Sequence, residues 1–192
     1  MKIGVLALQG AFREHRSCLR QLGVETIDVR YPHELSDLNG LVIPGGESTA
    51  IAKLLATHKL YEPIRSAYAN GMAIFGTCAG AILLAKKIEG AREDQIPLGL
   101  LNVTIKRNAY GRQIASFETD VAFRGIDGEP IRALFIRAPR FADLGPDVEV
   151  LSERDGEPTA VREGRLLAIA YHPELTGDLR IHKYFIDQIV GS

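Results

Sequence analysis

The fold is read from Met72-Ala73-Ile74-Phe75-Gly76-Thr77-Cys78-Ala79-Gly80. Its first four residues are a short apolar run of the kind buried on both faces of a sheet, and the run stops at Gly76. The Gly-x-Cys-x-Gly turn that follows leads straight into a predicted helix. A strand that turns at once into a helix is half of a βαβ unit, so a parallel sheet is expected around it. The chain upstream agrees. Residues 3–8 read as a strand, Phe12, His15, Leu19 and Leu22 recur at helical spacing, and residues 24–29 and 41–43 read as two more strands. Helical stretches over 49–55 and 63–70 lead into Met72. Strands alternating with helices imply a sheet with both faces covered. Downstream the pattern changes to strands at 103–105, 116–123, 133–136, 148–151, 159–161 and 166–170, separated by turn-rich segments and expected to include antiparallel ribbons. A closing helix over 181–190 puts Ile181, Tyr184, Phe185 and Ile189 on one face. The expected fold is α/β and three-layered: a mainly parallel sheet with helices on both faces, antiparallel strands in the second half, and one domain over 1–192.

Composition narrows the function classes. The chain has 192 residues, of which 46% are hydrophobic and 24% charged, as in ordinary globular proteins. Its 23 Lys plus Arg nearly cancel 24 Asp plus Glu, so no basic field is present to hold nucleic acid or an anionic membrane. A small-molecule or protein partner is expected. The N-terminal apolar run is too short for a signal-peptide core, and no stretch approaches the ~20 apolar residues of a membrane span. Two cysteines, Cys18 and Cys78, cannot build a disulfide framework or a structural zinc site, so no metal is expected and a reducing cytoplasm fits.

The turn at Gly76 to Gly80 has the context of a nucleophile elbow, with sulfur in place of the serine hydroxyl. Such a turn strains its central residue and brings strand and helix together, which calls for glycine at the flanks. Cys78 would stand at the start of a helix, where free amides and the macrodipole favour negative charge. The competing reading is a plain strand-to-helix turn around an inert cysteine. A nucleophilic cysteine needs a base, and His15, His33, His58, His172 and His182 are the candidates. His172-Pro173-Glu174 follows an apolar strand, and in an extended segment residues i and i+2 point the same way, which would lay Glu174 beside the His172 ring. An oxyanion would find amide donors around Ala79. A second source is Pro44-Gly45-Gly46-Glu47-Ser48-Thr49, whose glycines can bring bare backbone against a substrate. The bland alternative is a glycine turn feeding a helix capped by Ser48 or Thr49. The segment lacks the phosphate-cradling G-x-x-x-x-G-K-[ST] pattern.

In this order, the Gly-Gly-Glu segment, the Gly-Thr-Cys-Ala-Gly elbow and the His-Pro-Glu triplet resemble triad glutamine amidotransferases of the class I type, a flavodoxin-like fold. Within them, Leu8-Gln9-Gly10-Ala11, Pro44 to Thr49, Arg107-Asn108-Ala109-Tyr110-Gly111-Arg112-Gln113, Phe135-Ile136-Arg137-Ala138-Pro139 and His172-Pro173-Glu174-Leu175-Thr176 resemble the glutaminase subunits of pyridoxal phosphate synthases. The departures are Ala170-Tyr171, where that family often has Ser-Phe, and a longer polar loop at Glu93-Asp94-Gln95. The resemblance implies hydrolysis of L-glutamine to glutamate and ammonia, with no cofactor. Ammonia would pass to a pyridoxal 5'-phosphate synthase subunit in a hetero-oligomer. It assigns Cys78 as nucleophile, His172 as acid and base, and Glu174 as its orienting carboxylate. Gly46, Glu47, Ser48, Arg107, Ile136 and Arg137 would line the glutamine site, and Gly46 and Ala79 the oxyanion hole. Rival readings are a glutaminase subunit of another synthase, a cysteine-elbow peptidase or deglycase, and a non-catalytic binding module.

Overall fold

The computed structural model describes residues 1–92, 95–107 and 116–191. The chain opens with β1 (Lys2–Leu6), α1 (Phe12–Gln21), β2 (Glu25–Val29), β3 (Gly40–Ile43), α2 (Ser48–Thr57), α3 (Tyr61–Ala69), β4 (Ala73–Thr77) and α4 (Ala79–Leu84). It continues through β5 (Ala85–Glu89), β6 (Leu101–Lys106), β7 (Ser116–Val121), β8 (Ile131–Ile136), β9 (Arg140–Leu144), β10 (Glu149–Arg154), β11 (Glu157–Glu163) and β12 (Leu166–Ile169). It closes with α5 (Arg180–Tyr184), which runs on as π-helical turns over Phe185–Val190.

Seven strands form the main sheet in the order β10-β11-β12-β4-β3-β1-β2. The five from β12 to β2 are mutually parallel, and β11 and β10 add an antiparallel edge. Every residue of β3, β4 and β12 is buried, the mark of strands covered on both faces. On one face lie α1 and the C-terminal helix, where His15, His182 and Phe185 pack around Phe75. On the other lie α2 and α4, the latter crossing β4 at Gly76. Period-2 alternation explains the division: Phe75 and Thr77 point to the first face, Ile74 and Gly76 to the second. Buried apolar side chains from Ile3 to Val190 form one contiguous core.

The second half departs from the expected ribbons in one respect. β7 pairs antiparallel with β8, as read, but β5, β6 and β9 form a separate small sheet in which β5 and β6 run parallel. β5 starts directly at the end of α4 without a loop, and β9 is a short run interrupted by charges, so neither stood out as a strand. The mixed sheet and its helical layers are the three-layer α/β fold read from the elbow outward. Asn108 to Gln113, the block that narrowed the resemblance, and Glu93-Asp94 lie outside the described residues.

The registers set the site. Ile43 pairs with Gly76 and Ile169 with Thr77, so β3, β4 and β12 end side by side. Their exits carry Pro44-Gly45-Gly46, Cys78 and His172 to one place, at the carboxyl edge where parallel sheets bind ligands.

Candidate active site

Cys78 is the residue between β4 and α4, and its backbone is strained, with φ 47° and ψ −101°. The local packing enforces this. A Cβ on Gly76 would stand 2.6 Å from the carbonyl carbon of Gly80, and one on Gly80 would stand 2.0 Å from the Ile43 carbonyl oxygen. Only glycine admits so close a crossing. The Cys78 amide donates to the Ile169 carbonyl at 2.8 Å, which ties the elbow to the neighbouring strand. Its sulfur lies 3.9 Å from the Ile136 carbonyl. The amide of Ala79, in the first turn of α4, has no acceptor within the helix, as geometry requires of any helix start.

His172 is delivered by β12 and pinned by its own amide, which donates to the Leu134 carbonyl at 2.9 Å. Its Nδ1–H donates to Glu174 Oε1 at 2.7 Å, leaving Nε2 for the sulfur of Cys78. The local reason differs from the extended segment expected from sequence. Pro173–Leu175 is a 3-10 turn with proline at its first position, and it swings the carboxylate back toward the residue before it. Glu174 is buried, and burial opposes its ionisation. Its contact with His15 and its hydrogen bond and opposite charge with His172 outweigh that and hold the carboxyl below its ordinary value. Burial likewise opposes a charged His172, but hydrogen bonds to Cys78 and Glu174 and their charges hold the imidazolium well above the usual histidine range. This arrangement places an imidazolium beside the Cys78 sulfur.

A cavity of about 320 Å³ opens over the sulfur, large enough for an amino acid. Cys78 and His172 line it, with Gly46, Glu47, Ser48, Arg107, Ile136 and Arg137, all six of the residues expected there. Glu174 stands behind His172, away from the cavity. Arg137 shares the strain of Cys78, at φ 44°. The walls carry one carboxylate and two guanidinium groups, a set suited to the charged ends of an amino acid.

The helix start at Glu47 corrects one expectation. α2 is capped by the Glu47 carboxylate, which accepts from the Ala50 amide at 2.7 Å, and neither Ser48 nor Thr49 is the cap. The helix begins one residue earlier than the pattern suggested, which moves the cap back onto Glu47. Burial opposes its charge, but hydrogen bonds from Thr49 and Ala50 and the nearby Arg107 keep its carboxyl below the ordinary value. Ser48 is freed for another contact: its hydroxyl accepts from Gln95 Nε2 at 2.8 Å. Gln95 Oε1 in turn accepts from Arg107 at 2.6 Å, and Arg107 lies 3.5 Å from Glu47.

Sequence reasoning missed Gln95, which is buried, and Gln9, whose side-chain carbonyl accepts from the Glu47 amide at 2.9 Å. A polar residue in a loop gives no periodic signal. It also passed over His15 and His182, both fully buried. His15 Nε2 lies 2.9 Å from Thr77 Oγ1 and 3.4 Å from Glu174 Oε2, and its Nδ1 lies 2.9 Å from His182 Nε2. Thr77 Oγ1 also accepts from the Gly45 amide at 3.0 Å. The Gly45 carbonyl accepts from the Ala11 amide at 2.9 Å. In a trans peptide the N–H lies on the opposite edge, so the Gly46 amide is turned away from Ala11. Among the described residues there is no cluster of His, Cys, Asp and Glu able to hold a metal ion, and no helix long and apolar enough to cross a membrane.

A parallel sheet whose edge presents a strained cysteine, a paired histidine and a glycine loop defines the class of triad amidotransferases. The chain belongs to the SNO glutamine amidotransferase family, whose match covers residues 5–191. It is 50% identical to the pyridoxal 5'-phosphate synthase subunit PdxT of Carboxydothermus hydrogenoformans over 98% of both chains. It is 52% identical to the protein of the same name from Pelotomaculum thermopropionicum, over 100% of this chain and 97% of that one. A crystal structure of a glutamine amidotransferase, 47% identical, superposes with a TM-score of 0.93 over 99% of each chain. The structure of PurLQS from Thermotoga maritima, 18% identical with a TM-score of 0.72, shares the fold.

Proposed function

We propose that this chain hydrolyses L-glutamine to L-glutamate and ammonia and supplies the ammonia to a synthase subunit that makes pyridoxal 5'-phosphate. The observation that carries the reading is Cys78 lining an amino-acid-sized cavity together with a histidine whose Nδ1 is held by a buried carboxylate. The near-full-length likeness to PdxT subunits supports the choice of partner.

The thiolate of Cys78 attacks the side-chain amide carbon of glutamine, forming a C–S bond and a tetrahedral oxyanion. Amides of Gly46 and Ala79 receive that charge. His172 gives its proton to the departing nitrogen, the C–N bond breaks, and ammonia leaves a thioester on Cys78. Water then attacks the thioester carbon while His172 takes up its proton; the C–S bond breaks and glutamate is released. Glu174 keeps the ring in one tautomer throughout and offsets its positive charge. Gly46, Glu47, Ser48, Arg107, Ile136 and Arg137 hold the substrate. No cofactor enters these steps.

The chain acts as one amidotransferase domain over 1–192, joined to the synthase in a hetero-oligomer in the cytoplasm, where the thiol stays reduced. Glutamate release by the purified chain, measured with and without the synthase subunit, tests the reading. Glutamine-dependent glutamate in the complex is the expected result. Its absence, with pyridoxal 5'-phosphate made from ammonium salt alone, would reject it.

A further inference from the structure

Behind the triad, on the face of the sheet away from the cavity, lies a buried polar chain that the hydrolysis steps leave unused. It consists of His15 on α1, His182 on α5 and Thr77 at the end of β4. Such groups are costly to bury, and each needs a reason. Two buried atoms here lack a regular hydrogen bond: Glu174 Oε2 and His182 Nδ1.

These two vacancies assign the protons. Were His182 protonated on Nδ1, a buried N–H would be stranded, which costs more than an unfilled lone pair. The proton is therefore on Nε2 and is donated to His15 Nδ1 over 2.9 Å. That forces the His15 proton onto Nε2, between Thr77 Oγ1 at 2.9 Å and Glu174 Oε2 at 3.4 Å. The opposite tautomers would aim a lone pair of His15 at the carboxylate. Both rings are kept neutral by burial, so the pair acts through hydrogen bonds and not as cations.

We propose that His15 is a positioning residue for the reaction: its Nε2–H, set by His182, holds both the free oxygen of Glu174 and the Thr77 hydroxyl that fixes the Gly45 amide. One ring on α1 thus couples the carboxylate that orients His172 to the glycine loop beside the sulfur. The contact to Oε2 is long in the resting site. Hydrogen bonds of this kind shorten as charge builds in the reacting complex, here when His172 carries its proton between sulfur and leaving nitrogen. The groups facing His15 are Glu174, His172, His182 and Thr77, with Glu14 on its own helix.

The inference rests on the glutaminase reading, and its test separates the two. Glutamate release by the synthase complex is measured for wild type, His15→Leu and His15→Gln, with pH profiles of kcat/KM and thermal melts. Outer hydrogen-bond partners of metal-bound imidazoles change activity about 10- to 100-fold, and by analogy His15→Leu should lower kcat by that order with KM within about twofold. Its acidic limb should move to higher pH, because a carboxylate that loses a donor takes up a proton sooner. His15→Gln, which restores an N–H donor, should recover kcat to within about threefold and return the limb. A folded His15→Leu with wild-type kcat and pH profile would overturn the proposal. Should His15→Leu fail to fold, a folded His15→Gln with a large kcat loss or a shifted limb would overturn it just as well. A wild-type complex that releases no glutamate would instead reject the glutaminase reading.

Discussion

Glu174 reaches His172 across a 3-10 turn, Oε1 accepting from Nδ1 at 2.7 Å, and its second oxygen faces His15 from the opposite side. The carboxylate is thus enclosed by two imidazoles and shielded from water, which strengthens its hold on the ring that works on the substrate.

Substitutions in this array should separate chemistry from orientation. Cys78→Ala and His172→Asn are expected to abolish glutamine hydrolysis, whereas Glu174→Gln should leave a measurable remainder, since it removes charge and tautomer control but neither nucleophile nor base. Synthase complexes of all three should still make product from ammonium salt. Loss of that ammonia-dependent activity would assign the residues to docking or folding.

The two thiols should react very differently. Cys18 is buried, and burial, aided by the charge of Glu174, pushes its thiol up to about 11. At pH 8 only about one Cys18 in a thousand is ionised, by the ordinary titration relation. A chloromethyl ketone built on glutamine should therefore label Cys78 and spare Cys18, as read by peptide mass spectrometry. Equal labelling of both would contradict the site.

Gln95 carries a prediction that the sequence did not suggest. It bridges Ser48 and Arg107, so Gln95→Leu leaves a buried hydroxyl and a guanidinium with one partner fewer. The expected result is a KM for glutamine raised by roughly tenfold, about 1.4 kcal/mol, with kcat changed far less, because the wall is loosened and the sulfur is not. A lowered kcat at constant KM would place Gln95 in the chemistry instead.

The order in which these features became legible follows their physics. The elbow and the flanking strands carry period and glycine spacing, which survive in a linear string, and so Cys78 and a mainly parallel sheet are legible in the sequence. His172 and Glu174 are two positions apart in sequence, so their pairing is legible there, although a 3-10 turn and not an extended segment brings them together. His15 and His182 are 167 positions apart and meet only because β4 is flanked on one face by α1 and α5. No local pattern encodes such a meeting. β5 and β9 were lost because one continues a helix without a break and the other alternates over too few residues to show a period.

Stability should fall on the acid side for a reason specific to this core. Burial, with the neighbouring His15, depresses His182 to about 3 from 6.5, and burial depresses His15 as well. Both are neutral when folded and free to take a proton when unfolded. At His182 the unfolded chain therefore binds more protons between pH 6.5 and about 3, and His15 acts in the same direction, so the stability these sites confer is complete above 6.5 and is lost as pH falls below it. Each ring costs up to about 1.4 kcal/mol per pH unit there. Thermal melts at pH 7.5 and pH 5 should show a clear drop in Tm, smaller in a folded His15→Leu. An unchanged Tm would mean that the rings are charged in the core.

Gly45→Ala should disable the site without replacing any reacting group. A Cβ at this position would stand 2.4 Å from His172 Cε1 and 2.9 Å from Nδ1, with Cys78 Cβ at 3.4 Å beyond. The ring cannot retreat without breaking its 2.7 Å bond to Glu174. Nor can the loop, since the Gly45 amide is held by Thr77 at 3.0 Å and its carbonyl by Ala11 at 2.9 Å. Something must shift by a few tenths of an ångström or more, and displacements approaching 1 Å at a reacting group cost about a hundredfold in rate. Glutamate release by the Gly45→Ala complex should fall by that order, with ammonia-dependent synthesis intact and a Tm lowered only modestly. Full turnover in a folded Gly45→Ala would show that the loop stands farther from His172 during catalysis than in the resting site.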